Sequence, residues 1–98
     1  MLFYCAFTWY PGTTAQEVRQ RILEQHEAGK NYPERIRGWY NLAGGGAGFL
    51  IVDFDDPAEL TDFLQPYMDL VAWDVRAIHE LKYDKAIEHF RQLQAAVS

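Results

Sequence analysis

His26 is the side chain in this sequence best suited to proton transfer. It lies in "TTAQEVRQRILEQHEAG", where Val18 and Ile22 recur at helical spacing and place His26 on the same face of a predicted helix. An imidazole that faces a cleft can act as a general acid or base near neutral pH. The alternative is a structural role, because the helix dipole favours a partly buried histidine near a helix C-terminus. His26 is therefore the candidate base, with the structural role left open.

Aromatic side chains could line a pocket for a flat ligand. They are the three tryptophans and several tyrosines, including Tyr40. Aromatic walls with a few polar tips are typical of small-molecule sites. The same rings are also ordinary core in a small domain, so each residue taken singly has both interpretations. The predicted ligand-binding residues are Trp9, Tyr10, Trp39, Tyr67 and Trp73.

Two further pairs carry polar groups at short spacing. In "PYMDL", Tyr67 and Asp69 flank the exit from a predicted helix, where they could contact a ligand or simply fix a turn. Asp74 and Arg76 are two residues apart on a predicted strand and therefore share a face. They could orient a polar substrate, or satisfy each other across a twofold axis between two copies, which is the interpretation we prefer.

The glycine-rich stretch "NLAGGGAGFLIVDF" does not predict a nucleotide site. A dinucleotide-binding fingerprint starting at Gly44 would need a third glycine where Phe49 stands, and would open a helix where a strand is predicted. No Lys-Ser or Lys-Thr follows, which excludes a phosphate-binding P-loop. The run is predicted to join two strands of a hairpin, and no cofactor is predicted.

Metal binding is not predicted either. The three histidines lack a paired spacing such as H-x-x-x-H, and the acidic stretch from Asp53 to Asp56 lacks the regular ligand spacing of a calcium loop. Within that stretch Asp56 is instead assigned as the N-cap of a helix that begins at Pro57.

Composition limits the class of protein. The chain of 98 residues, 49% hydrophobic, is expected to form one folded domain over residues 1–98. Its net charge of −5 argues against a nucleic-acid partner, since phosphate binding needs a basic face. No stretch approaches the ~18 continuous apolar residues of a membrane span, and no basic leader precedes the first strand. With one cysteine, the chain is expected to be soluble and cytoplasmic.

The chemistry-bearing residues are distributed over a β-α-β-β-α-β order followed by a terminal helix. Alternating or aromatic-rich segments predict strands over residues 2–10, 36–42, 48–53 and 71–81. Thr14 with Glu17 predicts the start of the first helix and Gly29 its stop. This is the α+β, ferredoxin-like plan, with a four-stranded antiparallel sheet and both main helices on one side.

The side of the sheet away from the helices is predicted to be too apolar for solvent. An antiparallel sheet with one wet face should alternate cleanly between apolar and polar residues, and this one does not. We therefore expect a second copy to cover it, sheet against sheet. The predicted interface residues are Tyr4, Phe49, Ile51, Asp74 and Arg76.

Three segments, "MLFYCAFTWYPGTT", "GWYNLAGGGAGFLIVDFDDPAEL" and "LQPYMDLVAWDVRAI", resemble the domain-of-unknown-function 3303 family over roughly residues 1–80. A more distant similarity links the last two to muconolactone isomerase. The resemblance implies a dimeric α+β barrel: a ferredoxin-like protomer paired through its sheet, with a cleft between sheet and helices. It brings no established reaction, and fold analogy is a weak warrant for function.

Two functions are therefore expected. The first is a small homodimer that binds an apolar or aromatic metabolite in the sheet–helix cleft, with isomerase or cofactor-independent oxygenase activity as the reactions that would suit it. The second is a non-catalytic homodimer that acts through protein–protein interaction. An open cavity with converging polar groups would favour the first.

Overall fold

A computed structural model describes residues 1–97. The elements are β1 (Leu2–Trp9), α1 (Ala15–Glu27), β2 (Ile36–Asn41), β3 (Ala47–Asp53), α2 (Pro57–Leu64), β4 (Val71–Ile78) and α3 (Tyr83–Val97). Short 3₁₀ turns lie at Pro33–Arg35 and Gln65–Tyr67. The strands form one antiparallel sheet in the order β2-β3-β1-β4. The predicted α+β, ferredoxin-like order with an added C-terminal helix is confirmed.

Strand β4 is shorter than predicted. The sequence predicts a strand to residue 81, whereas β4 ends at Ile78. Ile78 pairs with Leu2, the first residue of β1, so the neighbouring strand offers no partner beyond this point. The four residues from His79 to Lys82 instead connect β4 to α3.

The register places alternate residues of each strand on opposite faces, as predicted. Cys5 lies between Leu50 and Val75, and this row faces the helices. Tyr4 lies between Ile51 and Arg76 on the other face. The buried core is on the helix side and consists of Phe3, Cys5, Phe7, Leu50, Val52, Phe54, Leu60, Phe63, Leu64, Leu70 and Val71.

Helix ends follow the capping residues. The Thr14 hydroxyl accepts a hydrogen bond of 3.1 Å from the Glu17 N–H, and the Asp56 carboxylate accepts one of 2.9 Å from the Ala58 N–H. Each bond satisfies a backbone donor that has no partner within its helix. After α1, Gly29 takes φ +72°, a conformation that favours glycine and ends the helix.

The glycine run joins β2 to β3 and closes the hairpin. Gly44, Gly45 and Gly46 all have positive φ, which glycine adopts without strain. Gly48, inside β3, has another role. A Cβ atom at Gly48 would lie 2.6 Å from the Phe7 ring and would press on the Tyr40 carbonyl oxygen of the neighbouring strand. Gly48 therefore permits a close approach of β2 to β3.

The two helices that follow strands β1 and β4 contribute little to the core. Neither α1 nor α3 has a buried residue, whereas α2 buries Leu60, Phe63 and Leu64. The described chain measures 58 × 28 × 19 Å, with a radius of gyration of 17.5 Å. A compact chain of this length has a radius of gyration of about 13 Å, so the fold is markedly elongated. Within residues 1–97, the helices are too short or too polar to span a bilayer.

Candidate functional site: the cleft between helix α1 and the sheet

Helix α1 lies over the sheet without being sealed against it. Val18 is half-buried and packs against the core, but no residue of α1 is fully buried. A helix held by apolar packing buries a stripe of side chains, so the contact between α1 and the sheet is incomplete. We call the space between α1 and the sheet the cleft.

Aromatic side chains form the sheet-side wall at the carboxyl end of β1. Trp9, Tyr67 and Trp73 are half-buried and pack against the core. The Trp73 ring meets Phe7 edge to face at 5.9 Å, and its indole N–H donates to the Leu64 carbonyl at 3.2 Å. These contacts hold the rings in place while part of each remains uncovered, as a preformed apolar wall requires.

A set of polar contacts ties α1 to the turn before β4. Two nitrogens of the Arg21 guanidinium donate to the Asp69 carboxylate at 2.7 and 2.9 Å, and one also donates to the Pro66 carbonyl. The bidentate geometry is the strong form of this pairing. The Arg21 hydrogen bond holds the pKa of the Asp69 carboxyl below its ordinary value.

A second tie runs through Tyr67 and Asn31. The Tyr67 hydroxyl donates to the Asn31 side-chain carbonyl at 2.6 Å, and the Asn31 amide donates to the Ile22 carbonyl at 3.0 Å. Burial raises the pKa of Tyr67, so its hydroxyl stays protonated and able to donate. We call the contacts among Arg21, Asp69, Tyr67 and Asn31 the latch, since they connect α1 to the sheet side of the cleft.

The latch predicts an acid-dependent loss of stability. Because the folded-state pKa of Asp69 is lowered, its contribution is full above the ordinary carboxyl pKa and disappears as pH falls through the lowered value. Wild type should therefore melt at a higher temperature than Asp69→Asn at neutral pH, and the two should converge in strong acid. The measurement is the thermal midpoint across that range. Asp62→Asn, at an exposed position on α2, is the control and should match wild type throughout.

Gln25 is a candidate site residue that the sequence did not reveal. Its side-chain carbonyl oxygen is buried and has no hydrogen-bond partner in the described structure. Gln25 follows Val18 by seven residues, two helical turns, and so lies on the same face of α1. The seven-residue spacing from Val18 could have predicted that Gln25 faces the sheet. A glutamine side chain taken alone predicts a position facing solvent. A buried acceptor without a partner is destabilising, and a bound donor would relieve it.

The predicted ligand-binding residues do not all come together. Trp9, Tyr67 and Trp73 all pack against the core, and Tyr10 follows Trp9 directly, with its backbone N–H bonded to the Leu70 carbonyl at 3.1 Å. The Tyr10 ring itself is exposed. Trp39 is 54% exposed on edge strand β2. Three strand spacings, about 14 Å, separate β2 from β4, so Trp39 is not part of the same wall.

His26 lies in the last turn of α1 with its side chain exposed. The expected orientation into the cleft is therefore not observed in the protomer. The face of α1 turned toward the sheet passes through Val18, Ile22 and Gln25, and His26 follows just beyond it. The role of His26 as a base stays a prediction.

The predicted interface residues share the uncovered face of the sheet. Phe49 stacks with Tyr40 at 5.0 Å and contacts Tyr4 at 5.2 Å between ring centroids. Arg76 already lies 3.7 Å from Asp74 within one protomer, and both side chains are exposed. The face therefore presents an aromatic cluster beside a charged pair.

Two further kinds of titratable group are candidate metal ligands and the cysteine thiol. Among residues 1–97, no group of three or more histidine, cysteine or carboxylate side chains is arranged to hold a metal ion. Cys5 is 0% exposed, and burial raises its pKa to about 11. The thiol therefore stays protonated and is packed as a small apolar side chain.

Comparisons with known proteins agree with this architecture. The profile of the family described as "Domain of unknown function (DUF3303)" matches residues 1–96. No curated protein matches the chain. Among solved structures, the chain is similar to 5-chloro-2-hydroxyhydroquinone dehydrochlorinase (TftG) from Burkholderia phenoliruptrix AC1100, in complex with 2,5-dihydroxybenzoquinone. The TM-score is 0.59 at 23% identity, over 85% of this chain and 98% of that chain. At this identity the likeness establishes the fold, the ferredoxin-like α+β type found in dimeric α+β barrels.

Proposed function

We propose that this chain, which belongs to the domain-of-unknown-function family DUF3303, is a small homodimer. Its proposed ligand is an apolar or aromatic metabolite bound between α1 and the sheet. The cleft supports the proposal. Its sheet-side wall carries half-buried aromatic rings, and the helix above is held by polar contacts in place of a buried stripe.

The unpartnered carbonyl of Gln25 is the observation that carries the proposal. A ligand with a hydroxyl or N–H group would supply the donor that this buried acceptor lacks. The structure of TftG holds 2,5-dihydroxybenzoquinone, a flat ring that bears hydroxyl groups. That ligand belongs to TftG, and the shared fold makes hydroxylated rings the first class to test on this chain.

We propose that any catalysis uses groups of the chain and of the substrate. We propose isomerisation by proton transfer, or oxygenation of an activated substrate without a cofactor, as the reactions to test. His26 remains the candidate base, since it adjoins Gln25 at the end of α1 and imidazole can exchange a proton near neutral pH. A ligand that reaches past Gln25 toward the end of the helix would approach it.

The homodimer is supported by the aromatic cluster of Tyr4, Tyr40 and Phe49. Aromatic residues are enriched in protein interfaces, and a cluster on an otherwise open sheet face is a typical interface centre. The alternative function, a non-catalytic homodimer that acts through protein contacts, is favoured by one further observation. The apolar stripe of α3 is exposed and could contact another protein.

The test uses Gln25→Met, which keeps the length of the side chain and removes the acceptor. Titration calorimetry with 2,5-dihydroxybenzoquinone and a panel of hydroxylated benzenes should show binding to wild type. The variant should bind about tenfold more weakly, because one hydrogen bond is lost. Without ligand, its thermal midpoint should equal or exceed that of wild type, because a buried polar atom without a partner is gone.

Gln16→Met is the matched control, since Gln16 is exposed on the same helix. Its affinity should equal that of wild type. Equal affinity of wild type and Gln25→Met would remove Gln25 from the site. If wild type binds none of the rings and native mass spectrometry finds no co-purified small molecule, the metabolite-binding function is wrong and the interaction function takes its place.

A further inference from the structure

Helix α3 presents an apolar stripe that is largely exposed among the described residues. Tyr83, Ala86, Phe90, Leu93 and Val97 recur at alternating spacings of three and four, which places them on one side of the helix. Phe90 is 51% exposed and Leu93 53% exposed. A surface helix with such a stripe normally turns it toward a core. Two heptads are short for a self-sufficient coiled coil, so a wider surface is the expected partner.

The sheet has an uncovered strip that matches the stripe in chemistry. On the helix side of β4, Val71 is buried and Trp73 half-buried, but Val75 is 40% exposed and Ala77 is exposed. Their neighbours on β1, Cys5 and Phe3, are fully covered. The helix layer therefore stops short of the second half of β4. We call Val75 and Ala77 the β4 strip.

The protomer also exposes more surface than a compact chain of its size. Its accessible surface is 7217 Å². A compact monomer of this length would expose about 5,800 Å², which leaves an excess of about 1,400 Å² per copy. A stable interface of standard size buries about 800 Å² per partner. The excess is thus enough for a dimer interface larger than the standard one.

We propose that α3 is an exchanged arm, which packs its apolar stripe on the β4 strip of a second copy of this chain. The connector from His79 to Lys82 carries α3 away from its own sheet, so each protomer leaves its own β4 strip uncovered. Reciprocal exchange would cover both strips and both helices at once, which is the low-energy route to dimers known as domain swapping.

The position of the arm also determines which residues meet. Val75 lies three residues before the end of β4, about 10 Å along the strand. Phe90 lies seven residues into α3, about 10 Å along the helix. If the arm begins level with the end of the partner's β4 and runs back along it, these two side chains come to the same level. The proposal shares with the proposed function only the second copy, and it does not depend on a ligand.

The test is a pair of engineered thiols, Val75→Cys with Phe90→Cys, in the full chain. Both positions are exposed, so folding should be retained, and circular dichroism checks this. Cys5 will not compete, because it is buried and its pKa is raised to about 11. Mild oxidation should convert most of the protein into a covalent dimer. Tryptic mass spectrometry of a mixture of ¹⁵N-labelled and unlabelled chains should show mixed-isotope disulfides.

The control pair is Val75→Cys with Glu88→Cys, because Glu88 lies on the opposite side of α3 from the stripe. It should form only a trace of covalent dimer. Disulfides confined to single chains would show that α3 packs on its own sheet, and would overturn the exchange. A non-covalent dimer that forms no disulfide would overturn it too. If Phe49→Glu, on the open face of the sheet, still dimerises and forms the interchain disulfide, the sheet pairing is wrong and the arm exchange is supported.

Discussion

Phe49→Glu is expected to convert the proposed homodimer into a monomer or a loosely associating pair. Phe49 lies between Tyr4 and Tyr40 on the open face of the sheet. In a sheet-to-sheet pair, glutamate would bring an unpaired charge into a desolvated centre in both copies. Interface aromatics often account for about 2 kcal/mol or more, and a buried unpaired charge adds to this, so the dimer should weaken by about 100-fold or more. Sedimentation equilibrium across a concentration series measures it.

Trp39→Glu is the matched control. Trp39 is also a large exposed aromatic on the sheet, but it pairs with Leu50 and therefore lies on the opposite face. Its replacement should leave the dimer constant unchanged. Equal weakening by both variants would indicate a general effect of charge on the protein. A wild-type protein that sediments as a monomer at micromolar concentration would contradict sheet pairing outright.

Gly48→Ala is expected to have the largest effect on stability of any change of a single methyl group in this chain. The added Cβ would lie 2.6 Å from the Phe7 ring and against the Tyr40 carbonyl oxygen, and a backbone atom in a paired strand cannot move aside cheaply. Overpacking of this kind costs about 3 kcal/mol. For a domain of this size the thermal midpoint should fall by about 15 °C. Differential scanning calorimetry of the purified variant provides the measurement.

Gly45→Ala separates crowding from backbone conformation. Gly45 has φ +81°, and no atom lies within 4 Å of the position that an added Cβ would take, so alanine there meets only the penalty of a left-handed backbone. That penalty is about 1 kcal/mol, or about 6 °C. If the two alanine variants were equally destabilised, close approach of β2 at Gly48 would not be the cause.

The faces of the sheet were predictable because alternation is strict along each strand. Once Phe3, Cys5 and Phe7 are assigned to the core, the opposite placement of Tyr4 follows, and antiparallel pairing extends it to Ile51 and Arg76. Capping residues likewise predicted the starts of both main helices at Thr14 and Asp56. The end of β4 was not predictable from its own residues, because it depends on where β1 begins.

The cleft was only partly predictable, for a different physical reason. A helical face about 100° wide admits several neighbouring residues, and on α1 the choice between Gln25 and His26 depends on how the helix is rotated over the sheet. The contacts that hold α1 in place include those of Arg21 and Asn31, whose partners lie 48 and 36 residues away at Asp69 and Tyr67. Spacing in the sequence carries no information on such contacts. The separation of Trp39 from Trp73 was equally hidden, since strand order decides it.

Helix α1 is expected to unfold separately from the core. The sheet and α2 share the buried side chains, so they should unfold together, whereas α1 is retained mainly by the latch. Such a segment can detach in a sub-global opening with a free energy well below that of complete unfolding. Amide protons of α1 should then exchange with solvent while those of β1 and β3 remain protected. If a ligand binds between α1 and the sheet as proposed, detachment of α1 would open its route to the core without complete unfolding.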